Sequence, residues 1–264
     1  MTEPKGADRK RFIEVRNLHK AFGHIQALRG VDLEIRTAEV LAIVGDNGAG
    51  KSTLIKILSG VLKPDKGSLL IDSIAHEYLT PNQAIRMGIS TVYQDLALIE
   101  GMGIAENLFL GREETWGPFL AKRRMQEISR KLLDRLQVNV PSLHVPVGML
   151  SGGQRQSVAV ARAIHQGGRL IILDEPTAAL GVRETARVLD LIDLLRKQGY
   201  GVVLISHNLH HVFTVADRIA VMRHGRVAGL MNRADIRPDE IVQMITAMPG
   251  QEPSSKDDLV MDSI

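Results

Sequence analysis

The stretch GDNGAGKST, residues 45–53, follows a short apolar run and precedes a segment of helical patterning. It fits the spacing G-x-x-x-x-G-K-[ST], and the chemistry of that spacing is phosphate binding. Gly45, Gly48 and Gly50, with Asp46, Asn47 and Ala49 between them, form a loop whose backbone N–H groups can wrap a β-phosphate. The helix start behind the loop adds positive potential. Lys51 supplies a point charge for the β and γ oxygens, and the Ser52 hydroxyl, with Thr53 beside it, can sit on Mg²⁺. The loop predicts a nucleotide site.

Carboxylates for such a site stand in LIILDEP, residues 170–176, an apolar strand that ends in Asp174 and Glu175. Asp174 is suited to hold the metal. Glu175, one residue on, points elsewhere and can polarise a water for attack on the γ-phosphate. His207 follows the strand GVVLIS, which puts it on the rim where α/β sheets bind ligands, in reach of a γ-phosphate. The run HNLHH (207–211) also has the helical spacing of metal ligands, so zinc is a rival reading, without the flanking carboxylates that usually accompany it. His210 and His211 read as ordinary surface residues. Gln94, at the end of STVYQ, can reach the metal or the water. Phe22, in KAFG, can stack on adenine, although an aromatic in a small β lobe is more often core. A second pair of glycines lies in LSGGQRQ (150–156), again ahead of a helix, so Ser151, Gly152, Gly153 and Gln154 offer a second phosphate cradle.

Elements that position these residues follow from hydrophobic period. Strands are expected at 12–15, 31–35, 40–44, 68–71, 90–93, 170–174, 201–206, 218–222 and 226–230. Helices are expected at 51–60, 81–87, 103–110, 121–137, 153–165, 182–197, 208–215 and 238–247; in 121–137, Met125, Ile128, Leu132 and Leu136 step at helical spacing. Apolar strands followed by helices predict an α/β core with parallel strands. The first three strands lack helices between them and predict a small antiparallel β lobe. Between about 100 and 150 only helices are expected. No internal repeat is visible, so the chain reads as one unit.

The bulk composition narrows the partners. The 264 residues are 44% hydrophobic and 24% charged, an ordinary globular balance. A formal net charge of +3 and 3% aromatics give no basic, aromatic-studded face, so nucleic acid is not expected as a partner. The basic run AKRR (121–124) reads as a solvated helix face. With no cysteine, disulfides and thiolate metal sites are excluded. The polar N-terminus predicts no secretory signal, and the longest apolar run, VLAIV (40–44), is far short of the ~20 residues that span a bilayer.

Taken in order, the loop at 45–53, Gln94, LSGGQ (150–154), LDEP (173–176) and His207 resemble the ATP-binding cassette family, over about residues 12–248. Within that family, VYQDLALIEGMGIAENLFLGRE and HNLHHVFTVADRI resemble the ATPases of monosaccharide importers of the ribose and fructose kind. The resemblance implies one α/β P-loop NTPase domain at 12–248, with an N-terminal antiparallel β lobe, an inserted helical subdomain at about 95–150, and flexible ends at 1–11 and 249–264. It implies an ATP-hydrolysing motor that uses ATP and Mg²⁺. Catalytic roles fall on Glu175, His207, Lys51 and Gln94, and metal contacts on Ser52, Gln94 and Asp174. Phe22, residues 45–53 and Ser151–Gln154 hold nucleotide. Two cassettes would pair head to tail, so that Ser151, Gly152, Gly153 and Gln154 cover the partner's ATP. The second cradle is then a half-site. The implied partners are a second copy, transmembrane permease subunits and, indirectly, a solute-binding protein, with the chain peripheral on the cytoplasmic face of the membrane. Segment 94–137 is expected to dock the permease, with Met102, Ile104, Leu108 and Phe109 burying mostly within the lobe.

One position departs from the family pattern: Gly181 stands where an Asp of the dimer interface usually follows. The alternatives are a non-transport cassette ATPase of DNA repair or of ribosomes, and a P-loop small-molecule kinase. The span between Gln94 and Leu150 is too short for the long insertions of repair types, ribosomal types fuse two cassettes, and a kinase leaves LSGGQ unexplained. In the importers this chain resembles, which sugar is carried is set by other subunits.

Overall fold

The computed structural model describes residues 10–246. Most of the two expected flexible ends, and the expected domain end at 248, lie outside them. Lys10 and Arg11, assigned to the flexible N-terminus by sequence, are placed: the Lys10 carbonyl accepts the Thr37 N–H at 2.9 Å, and Arg11 opens the first strand.

Strands β1 (Arg11–Phe22) and β2 (Ile25–Arg36) pair antiparallel, and each runs well beyond its expected range. The register shifts between Val15 and Leu18, where Asn17 adopts φ 46°. Such a bulge breaks the apolar alternation, which hid the rest of β1. The lobe is a four-stranded sheet, completed by β4 (Lys66–Ile71) and β5 (Ile74–His76) in the order β2-β1-β4-β5. Strand β5, only three residues long, is too short to show a period. Asp72 and Ser73, at φ 47° and 69°, make the left-handed pair that closes the turn before it.

The third expected lobe strand is not in the lobe. Strand β3 (Val40–Val44) is buried at all five positions and pairs parallel with two other core strands. A run apolar on both faces belongs in a parallel sheet covered on both sides. The core sheet has the order β12-β11-β3-β10-β9-β6, built from β6 (Ile89–Val92), β9 (Leu170–Asp174), β10 (Gly201–Ile205), β11 (Arg218–Arg223) and β12 (Arg226–Asn232). All its pairs are parallel except the edge strand β12, which runs antiparallel to β11.

Alternate residues of the core strands serve two clusters. Ile171, Leu173, Val202 and Leu204 pack with Val158 and Ala161 of α5 (Gly152–His165). Leu170, Ile172, Val203 and Ile205 pack with Leu54 and Leu58 of α1 (Lys51–Leu58) and with Ile13 and Leu33 of the lobe. Each fully buried side chain of this kind contributes about 1.5–3 kcal/mol. The two-residue period thus fixes the sheet between the lobe and the helices. Helices α2 (Pro81–Arg86), α6 (Val182–Lys197), α7 (Leu209–Val215) and α8 (Pro238–Thr246) follow close to expectation.

The insertion holds α3 (Ile104–Phe109) and α4 (Lys122–Arg135), and Ile104, Leu108 and Phe109 are buried within it. It is not helical throughout. A hairpin of β7 (Thr115–Trp116) and β8 (Phe119–Leu120) turns at Gly117, φ 58°, and between Leu136 and Leu150 there are only a 3₁₀ turn at Val147–Met149 and an isolated bridge from Pro146 to Gly103. Two-residue strands carry no readable alternation, which is why only helices were expected there.

Candidate functional site

Parallel register gathers the chemical residues on one rim. In the sheet, Val92 lies opposite Leu173, Asp174 opposite Ile205, and Ile205 opposite Ile43. Gln94, Glu175, His207 and the loop from Gly45 therefore all leave the carboxyl ends of adjacent strands, where open α/β sheets bind ligands.

The phosphate loop owes its path to missing side chains. A Cβ at Gly45 would stand 2.1 Å from the Met222 carbonyl oxygen, and one at Gly50 would stand 2.6 Å from that of Ala27, at φ 148° and 103°. Ala49 N–H closes the turn on the Asp46 carbonyl at 3.1 Å. Gly50 caps α1 without a side chain, so no cap claims the N–H groups of the first turn, which begins Lys51, Ser52, Thr53. Those donors fit an anion. Lys51 Nζ donates to the carbonyls of Gly45 and Asp46 at 2.6 and 2.9 Å. Burial lowers its pKa, against the raising effect of Glu175, Asp46 and Asp174. Asp46, Asn47, Gly48 and Ser52 are exposed at the mouth.

Opposite the loop, burial raises the pKa of Asp174, with the nearby Glu175 charge adding to it and Lys51 and Lys56 opposing. A half-buried carboxylate with a carboxylate neighbour favours a cation. Glu175 adopts φ 50° and its N–H is held by the Ile205 carbonyl at 3.0 Å. A left-handed backbone is costly for a residue other than glycine and is concentrated at functional sites. It carries the Glu175 Oε2 to 2.9 Å from His207 Nδ1. His207 is mostly exposed, so the pair opens to the rim.

The zinc reading finds no support. Among the described residues no group of three or more His, Asp or Glu stands together as a metal site. His207 is engaged by Glu175. His211, expected as a plain surface residue, is half-buried: Nδ1 meets the Thr177 hydroxyl at 3.0 Å and Nε2 the Asn208 amide at 3.3 Å. It ties the segment after Glu175 to the helix after His207, a tertiary contact with no sequence signal. A site for Mg²⁺ differs in needing only one or two protein oxygens beside the phosphates and waters, and Ser52 and Asp174 fit that demand.

Phe22 is half-exposed at the open end of β1 rather than core, with Lys20 Nζ 5.6 Å from its ring centre. The same hairpin lays Ala27 and Leu28 against Gly50. Gln94 is exposed just beyond β6, after Tyr93, whose hydroxyl meets the Ser59 hydroxyl at the end of α1 at 3.0 Å. The chain that follows is fastened. Arg162 of α5 donates to the carbonyls of Leu96 and Ala97, both at 2.7 Å. Buried Asn107 accepts the Ile99 N–H at 2.8 Å and donates toward the carbonyls of Ile99, Met102 and Gly103. Beside it a groove of about 180 Å³ opens between Glu106, Lys122, Met125 and His144.

The second cradle is not brought to the phosphate loop. Ser151 caps α5 in a reciprocal box with Gln154, whose Nε2 donates to the Asn139 carbonyl at 2.9 Å. The neighbours of Gly152 and Gly153 are Leu180 and Glu184.

Comparison with known proteins agrees with this geometry. Residues 28–178 match the family model described as ABC transporter. The chain is 48% identical to the xylose/arabinose import ATP-binding protein of Sulfolobus acidocaldarius over 89% of its own length and 94% of that protein. This chain belongs to the ABC transporter family. Another family member, the fructose import ATP-binding protein of Rhizobium meliloti, is 43% identical over 89% of this chain and 93% of that one. The ribose import ATP-binding protein of Yersinia pestis is 39% identical over 90% of this chain, which spans 46% of that longer protein. Among solved structures, an ATP-binding cassette of an ABC transporter in its ADP conformation superposes at TM-score 0.76 with 25% identity, covering 90% of this chain and 96% of that one. A dimeric cassette in a post-hydrolysis state, bound to ADP and Pi, superposes at 0.70 with 26% identity, covering 84% and 98%. The chain is thus an ABC ATPase cassette with the P-loop NTPase fold.

Proposed function

We propose that this chain is the motor subunit of a monosaccharide importer, in which two copies sandwich two Mg-ATP and hydrolysis drives transport through separate membrane subunits. The observation that supports hydrolysis best is the Glu175–His207 contact at 2.9 Å on the rim shared with Asp174 and the phosphate loop. Glu175 takes the proton of the attacking water, and His207 holds that carboxylate in line and reads the γ-phosphate. Lys51 exchanges its two loop carbonyls for the β and γ oxygens. Ser52 and Asp174 would hold Mg²⁺, which when bound neutralises charge on the phosphate oxygens. Gln94 positions water at the same rim, and Phe22 stacks on adenine. Ser151, Gly152, Gly153 and Gln154 serve the ATP of the partner copy.

Sugar as cargo rests on the relatives, whose names are those of xylose/arabinose, fructose and ribose import proteins. No helix among the described residues is long and apolar enough to cross a membrane, so force must pass to embedded permease subunits, with the cassette on the cytoplasmic face. The groove beside Glu106 and the segment 94–137 suit a short permease helix, and the fastening of 96–107 gives that helix a stiff seat. A solute-binding protein would deliver the sugar on the other side. Nothing observed favours a non-transport role.

The test is uptake by a reconstituted transporter. Reversing the charge of exposed Glu100 or Glu106 should abolish sugar uptake and leave hydrolysis by the isolated subunit unchanged. Normal uptake, or loss of hydrolysis in the isolated chain as well, would refute the docking assignment. Recovery of ribosomes or DNA from native membranes in place of permeases would refute the importer.

A further inference from the structure

The start of α6 has an unusual tenant. Its first cap is Gly181, which has no side chain to offer, and Glu184 reaches back so that its Oε2 accepts the Gly181 N–H at 3.4 Å. The same side chain lies against the other helix start. Glu184 Oε2 is 3.5 Å from where a Gly152 Cβ would be, and the Glu184 Cβ is 3.2 Å from the equivalent point at Gly153. The Ser151 hydroxyl and the N–H groups of Gly181, Gly153 and Gly152 hold the Glu184 carboxyl below its ordinary range. Two helix N-termini, α5 of 14 residues and α6 of 16, thus converge on a single carboxylate.

We propose that Glu184 is an internal competitor for the γ-phosphate of the partner's ATP, filling the half-site at Ser151–Gly153 until two cassettes close. This rests on the reading of that segment as a half-site. In the single chain the Glu184 side chain already lies against the two glycines that would receive the incoming phosphate. A γ-phosphate and a carboxylate cannot share them, because like charges set side by side at an interface repel. Closure must therefore turn Glu184 away from α5 or bear its charge beside the phosphate. Both raise the ATP concentration at which two copies join.

The experiment compares Glu175→Gln with Glu175→Gln/Glu184→Gln in the full chain, by light scattering against Mg-ATP concentration. Glutamine keeps the reach-back to Gly181 and removes only the charge. The dimerisation midpoint should fall by about tenfold, equivalent to about 1.4 kcal/mol. The gap should narrow as salt is raised, because the repulsion is screened at an exposed site. Binding of ATP to the monomer's own phosphate loop should be unchanged, which also shows that the variant is folded; if it is not, Glu184→Ala in the same background gives the same reading. An unchanged or raised midpoint would overturn the competitor role and make Glu184 a simple cap. A parent that fails to dimerise at any ATP concentration would overturn the half-site, and the proposal with it.

Discussion

Replacing Glu175 by Gln isolates one charge. The left-handed turn survives, since it is held by the main-chain bond from Glu175 N–H to the Ile205 carbonyl and glutamine has almost the shape of glutamate. His207 keeps an acceptor at its 2.9 Å contact, at the cost of exchanging a charge-assisted bond for a neutral one, about 1 kcal/mol. In the proposed mechanism the water loses its base. General-base catalysis contributes about 10²–10⁴-fold, so hydrolysis should fall by that factor, about 3–5 kcal/mol of barrier. Phosphate release at saturating Mg-ATP measures it, with ATP binding to the monomer as the control that should not move. His207→Ala, which leaves Glu175 unsteered, should cost a similar factor. Because the two act as a unit, the double variant should be no slower than the slower single one. A Glu175→Gln protein within threefold of the parent rate, or a double variant whose losses multiply in full, would refute the pairing.

Three other substitutions probe separate parts. Lys51→Ala removes the cation of the loop, and equilibrium binding of labelled ATP should weaken by about 10–100-fold, the worth of a charge-assisted contact. Asp174→Asn should stop hydrolysis yet raise the nucleotide-free melting temperature near neutral pH. The folded pKa of Asp174 is raised, so its ionised form costs stability above that pKa, and the gain from asparagine should shrink as the solution is acidified through it. Asn107→Ala strips the partner of the Ile99 N–H and donors to three carbonyls, and should lower stability by about 2–4 kcal/mol, or roughly 5–15 °C in melting temperature, by calorimetry.

Residues acting through their own neighbours along the chain were legible. The glycine spacing of 45–53, the apolar run ending in Asp174, and the helical periods of 152–165 and 182–197 each carried their structure locally. Contacts between distant segments were not. Placing β3 in the lobe followed from the absence of a helix before it, whereas burial on both faces decided its sheet. His211 passed for a surface residue because its partner, Thr177, is 34 positions away. Glu184 carried no signal of its own, since only the packing of α6 on α5 brings it to Gly152. The bulge at Asn17 and the turn at Asp72–Ser73 hid strands because polar residues with positive φ interrupt the period.

Arg162 has a mechanical consequence. It grips the carbonyls of Leu96 and Ala97 from the far part of the helix that Ser151 begins, eleven residues and about 16 Å along the axis from that cap. A helix is stiff over such a length, so the chain just past Gln94 and the start of α5 move as one rod. A push delivered beside Leu96 is then felt at Ser151 without any change in the sheet between them. In the proposed assembly, docking on the insertion would be felt at the neighbouring copy's nucleotide through this rigid strut, and the length of the strut would set the stroke.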